Sequence, residues 1–244
     1  MSEVVALVTG ANRGIGLAFV EELLEQGARV YAGSRDPDAV TTSGAVPVEL
    51  DITDPAQVAA AANRCADVNL LVNNAGLFTN QRLVLTADPD AARREMEINY
   101  FGTLAMTRAF APVLGANGGG QIINVLSVAA IVPTAFMGGY SPAKAAALFL
   151  SGITRAELEP QGTKVTALIV GSVATRMSDH VDGHKEDPRD IAKAGLKAAA
   201  KGELTADTDW MAVDARARLA RDPVRYERGL GRLIHKAVLR TGRD

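Results

Sequence analysis

The sequence predicts an α/β fold in which helices cover both faces of one doubly wound, parallel β-sheet. Three observations lead to this prediction. Short apolar runs alternate with segments of helical periodicity, which is typical of parallel βαβ units. A glycine-rich segment directly follows the first apolar run and precedes a helical pattern. The chain has 244 residues, 48% of them hydrophobic, which is enough for one domain with a substantial core. We therefore expect residues 1–244 to form a single domain.

Strands are predicted where short apolar runs are rich in β-branched residues. The six predicted strands are 4–8, 30–33, 46–50, 69–72, 122–127 and 165–170. Together they predict a parallel sheet, because each is separated from the next by room for a crossover segment.

Helices are predicted from apolar periodicity and from residues suited to helix ends. They cover 17–26, the segment after Asp54-Pro55, and about 89–114. Asp54 is a suitable N-cap, and Pro55 fits a first helical turn. A later helix includes Pro142, which is tolerated only near a helix start. We therefore expect that helix to begin close to Gly139.

The first glycine-rich segment has the pattern of a phosphate-binding turn. Gly10 permits a tight turn, Gly14 lets the backbone approach a pyrophosphate, and Gly16 allows close packing of helix on strand. The N–H groups at the following helix start would face the phosphates. A structural turn without a ligand is the alternative, but the position between a strand and a helix favours dinucleotide binding.

Tyr140 and Lys144 stand four residues apart, so one helical face carries a phenol and an ammonium group. At ~4 Å and an effective dielectric near 20, a unit charge pair interacts by about 4 kcal/mol, or roughly three pKa units. We therefore expect Lys144 to bring the pKa of Tyr140 close to physiological pH. Such pairs also occur by chance on exposed helix faces, so this interpretation depends on the other motifs.

Ser127 ends the fifth predicted strand. In an open parallel sheet the carboxyl ends of the strands border the ligand crevice. We therefore expect the hydroxyl of Ser127 to face the same pocket as Tyr140.

The end of the second predicted strand indicates which dinucleotide is bound. An Asp or Glu there would bond the ribose 2′-hydroxyl of NAD, but Ser34 and Arg35 occupy the position. Arg35 and Arg13 could pair with the 2′-phosphate of NADP, because guanidinium groups match phosphate geometry. Asp36 leaves NAD(H) open, since it would take the acidic role if the strand ended later. The sequence favours NADP(H) as the cofactor.

Together these segments resemble the short-chain dehydrogenase/reductase family over about the first 177 residues. The matching motifs, in order, are Thr9-Gly10-x-x-x-Gly14-x-Gly16, Asp51, Asn73-Asn74-Ala75-Gly76, Asn99, Ser127, Tyr140-x-x-x-Lys144 and Gly171-x-Val173-x-Thr175. One position departs from the family pattern, because Val170 stands where Pro usually precedes the glycine of the last motif. The resemblance implies a Rossmann-type domain that binds a nicotinamide dinucleotide.

The resemblance implies reversible reduction of a carbonyl to an alcohol, in which Tyr140 protonates the substrate oxygen. Ser127 would hold that oxygen. Lys144 would lower the pKa of Tyr140 and bond the nicotinamide ribose, and Asn99 would position a water that relays protons through Lys144. Asn73 is expected to be a structural tie between strands.

The expected cofactor contacts combine the glycine turn, the end of the second strand and positions that the resemblance implies. They are Gly10, Asn12, Arg13, Gly14, Ile15, Gly16, Ser34, Arg35, Asp51, Ile52, Asn74, Ala75, Gly76, Tyr140, Lys144, Gly171, Val173 and Thr175.

Two further functions are alternatives. A non-catalytic protein that senses dinucleotides on the same scaffold would need the glycine turn but not the acid, so Ser127, Tyr140 and Lys144 favour an enzyme. An NAD-dependent alcohol dehydrogenase is the other alternative, should the cofactor be NAD(H).

The resemblance weakens after Thr175, so residues 176–244 are expected to form a divergent region that contains the substrate loop and a C-terminal helix. Many members of the family end in a further strand with a glycine-rich tail, and no such ending is clear there. The final helix is indicated by the periodic apolar residues Leu230, Leu233, Ile234, Ala237 and Val238. It would pack on its own subunit or on a partner, which leaves a homo-oligomer open. A membrane-surface helix is the alternative, but no second anchoring signal accompanies it.

The substrate is expected to be an apolar carbonyl compound or secondary alcohol. The candidate pocket residues are Leu77, Phe78, Val128, Ile131, Phe136 and Met137. Core packing would explain the same residues.

Composition and charge argue against other classes. A net charge of −2 gives no electrostatic basis for binding nucleic acid. No membrane span is expected, because the longest apolar stretch, 122–137, is short and interrupted by polar residues. The lone Cys65 and the lack of an export signal at the amino terminus favour a cytoplasmic protein. His180 and His184 could suggest a metal site, but Gly183 between them favours a surface loop, so no metal is expected.

Overall fold

A computed structural model describes residues 3–179 and 181–241, and of residues 235–241 it describes the backbone alone. Seven strands of the described chain form one parallel sheet in the order β3-β2-β1-β4-β5-β6-β7. These are β1 Val5–Thr9, β2 Arg29–Ser34, β3 Ala45–Glu49, β4 Leu70–Asn73, β5 Gln121–Val125, β6 Lys164–Ile169 and β7 Thr205–Asp207.

The strand order reverses between β1 and β4, because the chain runs outward from β1 to β3 and then crosses back to β4. In open α/β sheets the ligand crevice lies at this reversal, outside the carboxyl ends of the strands. The predicted doubly wound, Rossmann-type single domain is thereby confirmed, and the topology places a binding site beside the end of β1.

Eight α-helices accompany the sheet in the described chain. These are α1 Gly14–Glu25, α2 Pro55–Arg64, α3 Ala91–Met96, α4 Thr103–Ala116, α5 Tyr140–Leu158, α6 Pro188–Ala200, α7 Trp210–Arg221 and α8 Pro223–Thr241. A π-helical turn, Glu97–Gly102, joins α3 to α4, so residues 91–116 form one continuous helical segment.

Two apolar cores lie on opposite faces of the sheet. Ala6 and Val8 of β1 pack with α1 and α6 on one face. Leu7, which points the other way, packs with α2 and α4. This alternation follows from the period of two residues along a strand. Both faces of β1 are buried, which explains why its first four residues are all apolar.

The predicted catalytic helix and the six predicted strands are confirmed, with small differences at their ends. α5 begins at Tyr140, next to Gly139, so Pro142 stands in its first turn as expected. β5 ends at Val125 instead of Ser127. The predicted N-cap is also confirmed, because the Asp54 carboxylate accepts hydrogen bonds from Ala56 and Gln57 at the start of α2.

A seventh strand, which the sequence did not predict, follows β6. β7 pairs in parallel with β6, with Ala167 opposite Thr205. Its three residues include two polar ones, so they give neither an apolar run nor a clear alternation. The predicted C-terminal helix is confirmed as α8, although the side chains of Ala237 and Val238 lie outside the described residues.

Candidate active site

The end of β1 is joined to the end of β4 through the hydroxyl of Thr9. This hydroxyl accepts hydrogen bonds from the backbone N–H groups of Asn74 and Ala75, both at 3.0 Å. The side-chain amide of Asn74 in turn donates to the backbone oxygens of Thr9 at 2.9 Å and Gly10 at 3.2 Å. The glycine turn and the asparagine motif, which are about 65 residues apart in sequence, are therefore joined directly by hydrogen bonds.

The glycine turn leaves space that larger residues would fill. Gly10 has a φ of +65°, a conformation that favours glycine, and an added Cβ at Gly16 would lie 2.2 Å from the Gly10 carbonyl oxygen. Arg13 precedes α1 without capping it, and no acidic residue stands in the first turn of α1. The first N–H groups of α1 thus have no side-chain cap among the described residues. Such a helix start is suited to a phosphate, so these residues fit a dinucleotide pyrophosphate.

The adenosine end of the predicted site lies where β2 and β3 end. β2 ends at Ser34, so Asp36 does not take the strand-end position that an NAD-binding acid would occupy. Instead, the Asp36 carboxylate accepts the N–H of Asp38 at 3.1 Å. Burial opposes ionisation of Asp51, but hydrogen bonds from Thr53 and the charge of Arg35 outweigh it and lower the pKa of Asp51. Arg35 is therefore close enough to Asp51 to act on it electrostatically.

Ser127 and Tyr140 are brought together at the carboxyl end of β5. Ser127 stands two residues beyond the strand, and its hydroxyl accepts the N–H of Ala129 at 3.1 Å, which caps a short 3-10 turn. The ring of Phe78 contacts the ring of Tyr140 edge to face, with centroids 5.5 Å apart. Burial, which has the largest effect, and the charge of Glu95 together raise the pKa of Tyr140 to about 12, although a hydrogen bond with Ser127 acts in the opposite direction.

Lys144 lies within the same buried pocket. Its Nζ is 5.6 Å from the centroid of the Tyr140 ring and donates a hydrogen bond of 3.0 Å to the Val125 carbonyl oxygen. Burial lowers the pKa of Lys144 to about 8. The expectation that Lys144 brings the pKa of Tyr140 close to physiological pH is wrong for this structure, because desolvation disfavours the charged form of both groups.

Asn99 lies in the π-helical turn and is fully buried. Its side-chain amide donates to the carbonyl oxygens of Leu77 at 2.8 Å and Glu95 at 2.9 Å, while its oxygen accepts the N–H of Leu77 at 3.2 Å. Asn99 thus holds the segment after the asparagine motif against the helix. π-Helical turns occur frequently at functional sites. The role of Asn99 in a proton relay stays a prediction.

The motif from Gly171 to Thr175 lies beside the glycine turn and is held by contacts to later parts of the chain. The N–H of Gly171 donates to Asp209 at 2.7 Å, and Val173 pairs with Glu186. A Cβ added at Gly14 would lie 3.1 Å from Thr175 Cγ2, which places this motif directly beside the glycine turn. Val170 in place of the usual proline therefore leaves the motif next to the expected cofactor site.

The predicted apolar pocket residues separate into different surroundings. Phe78 contacts the ring of Tyr140. Ile131 instead lines a cavity of about 560 Å³ on the side of α5 that carries Ser141 and Pro142. Phe136 and Met137 belong to a short 3-10 turn, Ala135–Met137, that leads into α5. Of these four residues, Phe78 is the one that contacts Tyr140, and the role of the predicted pocket in binding a substrate stays a prediction.

Several other predictions concern groups outside this pocket. Asn73 donates to Asn124 at 2.9 Å, which confirms a tie between β4 and β5. Burial raises the pKa of Cys65 to about 11, so its thiol stays protonated and unreactive near neutral pH. Within the described chain, no group of three or more His, Cys, Asp or Glu residues is arranged to hold a metal ion; His180 lies outside it. No helix in the described ranges has the length and apolarity to span a membrane.

For three residues of the site the sequence predicted no role, although Thr9 is part of the glycine motif. Thr9 and Asp209 organise the backbone of two motifs, and Glu95 stands in contact with the start of α5. Glu95 could have been noticed from its position one helical turn before Asn99. Its partners are remote in sequence, so their proximity required the fold.

Comparisons with known proteins agree with this geometry. The family described as short chain dehydrogenase matches residues 4–186. The chain is 34% identical over 203 residues to a sorbitol dehydrogenase of Cereibacter sphaeroides, covering 79% of each chain. It is 32% identical over 210 residues to a 3-alpha-(or 20-beta)-hydroxysteroid dehydrogenase of Mycobacterium bovis, covering 81% of this chain and 77% of the relative. Among solved structures, a short chain dehydrogenase from Burkholderia cenocepacia in complex with NADP is 45% identical, with a TM-score of 0.90 over 94% of this chain and 98% of that chain.

Proposed function

Because the chain belongs to the short-chain dehydrogenase family, we propose that it is an NADPH-dependent oxidoreductase that reversibly reduces a carbonyl to an alcohol, with Tyr140 as acid and base. One observation carries this proposal most strongly. Tyr140 and Lys144 are buried together beside Ser127, at the sheet edge where the crevice of this topology lies. A protein that only binds a dinucleotide would not need a buried acid there.

NADPH supplies a hydride to the carbonyl carbon when it is bound. Tyr140, which is protonated at neutral pH because burial raises its pKa to about 12, gives its proton to the carbonyl oxygen. Ser127 supplies a second hydroxyl that can donate to the same oxygen. Lys144 is mostly charged at neutral pH, since its pKa is about 8, and its charge favours the phenolate left after proton transfer.

NADP(H) is proposed over NAD(H) on the basis of the end of β2. Ser34 ends the strand and Asp36 is occupied in capping a turn, so neither presents a carboxylate to the 2′-position of the ribose. Arg35 and Arg13 are exposed and available to a 2′-phosphate. The Burkholderia cenocepacia neighbour, solved with NADP, supports this choice.

The proposed substrate is an apolar carbonyl compound or secondary alcohol. The edge-to-face contact of Phe78 with Tyr140 supplies an apolar surface at the reacting group. The names of the relatives do not point to one substrate class, because sorbitol is a polar polyol and hydroxysteroids are largely apolar. We also propose a cytoplasmic location, because Cys65 is the single cysteine and is buried as a free thiol.

The test combines turnover with cofactor binding. Wild type should oxidise NADPH with members of a panel of apolar aldehydes and ketones, whereas Tyr140→Phe should abolish turnover and keep the Kd for NADPH nearly unchanged. Wild type should also bind NADPH more tightly than NADH. Tighter binding of NADH would refute the cofactor assignment. Binding of NADPH without turnover across carbonyls and alcohols would favour the dinucleotide sensor instead.

A further inference from the structure

Glu95 of α3 is a buried acid whose two carboxylate oxygens differ in their surroundings. The residue is 1% exposed. Its Oε1 accepts hydrogen bonds from the backbone N–H of Thr79 at 2.8 Å and from the Thr79 hydroxyl at 2.9 Å. Its Oε2 is buried as well, yet it has no hydrogen-bond partner among the described residues. Buried carboxylate oxygens are normally paired, so this one requires an explanation.

The unpaired oxygen faces the start of the catalytic helix. A Cβ added at Gly139 would lie 2.7 Å from Oε2 of Glu95 and 2.6 Å from the Cα of Ala92. The backbone immediately before Tyr140 therefore packs directly on the carboxylate, and only glycine fits there. The first N–H groups of a helix have no intrahelical partners, and the helix dipole favours a negative charge beside them. The 19-residue helix α5 thus provides a suitable electrostatic environment for this oxygen.

We propose that Glu95 is a positioning residue for the proton transfer at Tyr140, because one carboxylate oxygen anchors the segment at Thr79 while the other places a negative charge against the start of α5. This inference rests on the proposed function of Tyr140 as the acid. Phe78, which contacts the Tyr140 ring, directly precedes Thr79 in sequence. Glu95 therefore touches both segments that hold the phenol in place.

The charge of Glu95 also acts on Tyr140 itself. Lys144 from α5 and Glu95 from α3 are the charged groups next to Tyr140. Arg94 of α3 interacts with Glu95 but is exposed and paired with Asp88. The charge of Glu95 raises the pKa of Tyr140, adding to the larger effect of burial. A negative charge disfavours the phenolate, so Glu95 keeps the tyrosine protonated. This state is the one that carbonyl reduction requires.

The test is Glu95→Gln, which keeps the size of the side chain and removes its charge. Glu97→Gln on the adjoining helical turn is the matched control, because Glu97 is exposed. In the pH profile of kcat/KM, we expect the limb that reports ionisation of Tyr140 to move to lower pH by about one unit. This is the lower end of the pKa shifts that a nearby charge causes. Below that limb, alcohol oxidation should rise about tenfold at fixed pH, whereas carbonyl reduction should be lost at lower pH than in wild type.

A second readout does not depend on turnover. The near-ultraviolet absorbance of phenolate is titrated in wild type and in Glu95→Gln, each with its Tyr140→Phe counterpart subtracted to isolate Tyr140. A lower pKa of Tyr140 in Glu95→Gln, with no change in Glu97→Gln, supports the role of Glu95. This result would hold even if the wild type turned over no carbonyl, because a lack of turnover counts only against the proposed function. If the pKa of Tyr140 is unchanged in a folded Glu95→Gln protein, the inference about Glu95 is overturned.

A loss of folding in Glu95→Gln is covered by Glu95→Asp. This variant keeps the charge but withdraws it from α5 by one carbon, so it should shift the Tyr140 titration in the same direction by a smaller amount. A wild-type titration curve in folded Glu95→Asp, together with unfolded Glu95→Gln, would mean that Glu95 has only a structural role and would overturn the inference.

Discussion

Lys144 combines a proposed chemical role with a cost in stability. Burial lowers its pKa from 10.5 to about 8, which means that the folded protein holds the charged form less favourably than the unfolded chain does. Between these two values the unfolded chain binds more protons, so stability should rise with pH in this range. The cost is fully present below pH 8 and amounts to about 3 kcal/mol at most, since one pKa unit is about 1.4 kcal/mol.

Lys144→Met should abolish turnover, because it removes the charge that favours the phenolate. It should also raise the free energy of unfolding at neutral pH, because it removes the cost of burying that charge. The expected gain is about 2 kcal/mol, because losing the hydrogen bond to the Val125 carbonyl oxygen offsets about 1 kcal/mol of the removed cost. Urea unfolding of both proteins across pH 6 to 10 measures the difference, which should shrink as pH rises above about 8. A variant less stable than wild type at neutral pH would show that the ammonium contributes net stabilisation.

At the scale of elements, the turn between β1 and α1 leaves no room for a side chain. A Cβ at Gly16 would lie 2.2 Å from the Gly10 carbonyl oxygen and 2.5 Å from Nδ2 of Asn74. Since the first of these is backbone, the turn itself would have to shift. We expect Gly16→Ala to lower the free energy of unfolding by about 1–3 kcal/mol, as overpacking does elsewhere, and to weaken NADPH binding strongly.

Gly152→Ala is the control for that prediction. Gly152 lies within α5, and apart from the neighbouring backbone of its own helix nothing would lie within 4 Å of an added Cβ. Alanine is favoured over glycine in a helix by about 1 kcal/mol, so this variant should be as stable as wild type or more stable. Thermal unfolding and NADPH titration of both variants check the pair. Equal NADPH affinity in Gly16→Ala and Gly152→Ala would refute the assigned role of the turn.

The elements differ in how far the sequence alone could predict them. β1 and β4 are buried on both faces, so their sequences are apolar runs that mark strands directly. β7 has only three residues at the sheet edge and leaves no such pattern.

The pKa of Tyr140 was predicted wrongly, because the spacing to Lys144 shows proximity but not the burial that dominates. Glu95 went unnoticed for a similar reason, since its contacts with Thr79 and Gly139 exist only in the fold.

At the scale of the whole molecule, Arg155 connects the catalytic helix to the edge of the sheet. From α5 its Nε donates to the Val165 carbonyl oxygen of β6 at 3.1 Å, and its terminal nitrogen donates to the Leu204 carbonyl oxygen at 2.7 Å. Leu204 directly precedes β7, and its carbonyl oxygen also accepts the N–H of Ala167. One side chain therefore ties the divergent region after residue 176 to the helix that carries Tyr140 and Lys144.

Arg155→Met should loosen this edge while leaving the apolar stem of the side chain in place. Hydrogen bonds that involve a charged group contribute about 1.5–3 kcal/mol each, and burial of the guanidinium, which lowers the pKa of Arg155, offsets part of that. We expect a net loss of about 2 kcal/mol and a decrease in Tm of about 5 °C for a domain of this size. Hydrogen exchange should quicken first at the amides of β7, because the carbonyl that Arg155 holds stands at its start.

Arg218→Met is the control. It removes an exposed i,i+4 pair with Asp214 and should change the free energy of unfolding by less than about 1 kcal/mol. If both variants unfolded at the wild-type temperature, the edge strand would be held by its pairing with β6 alone.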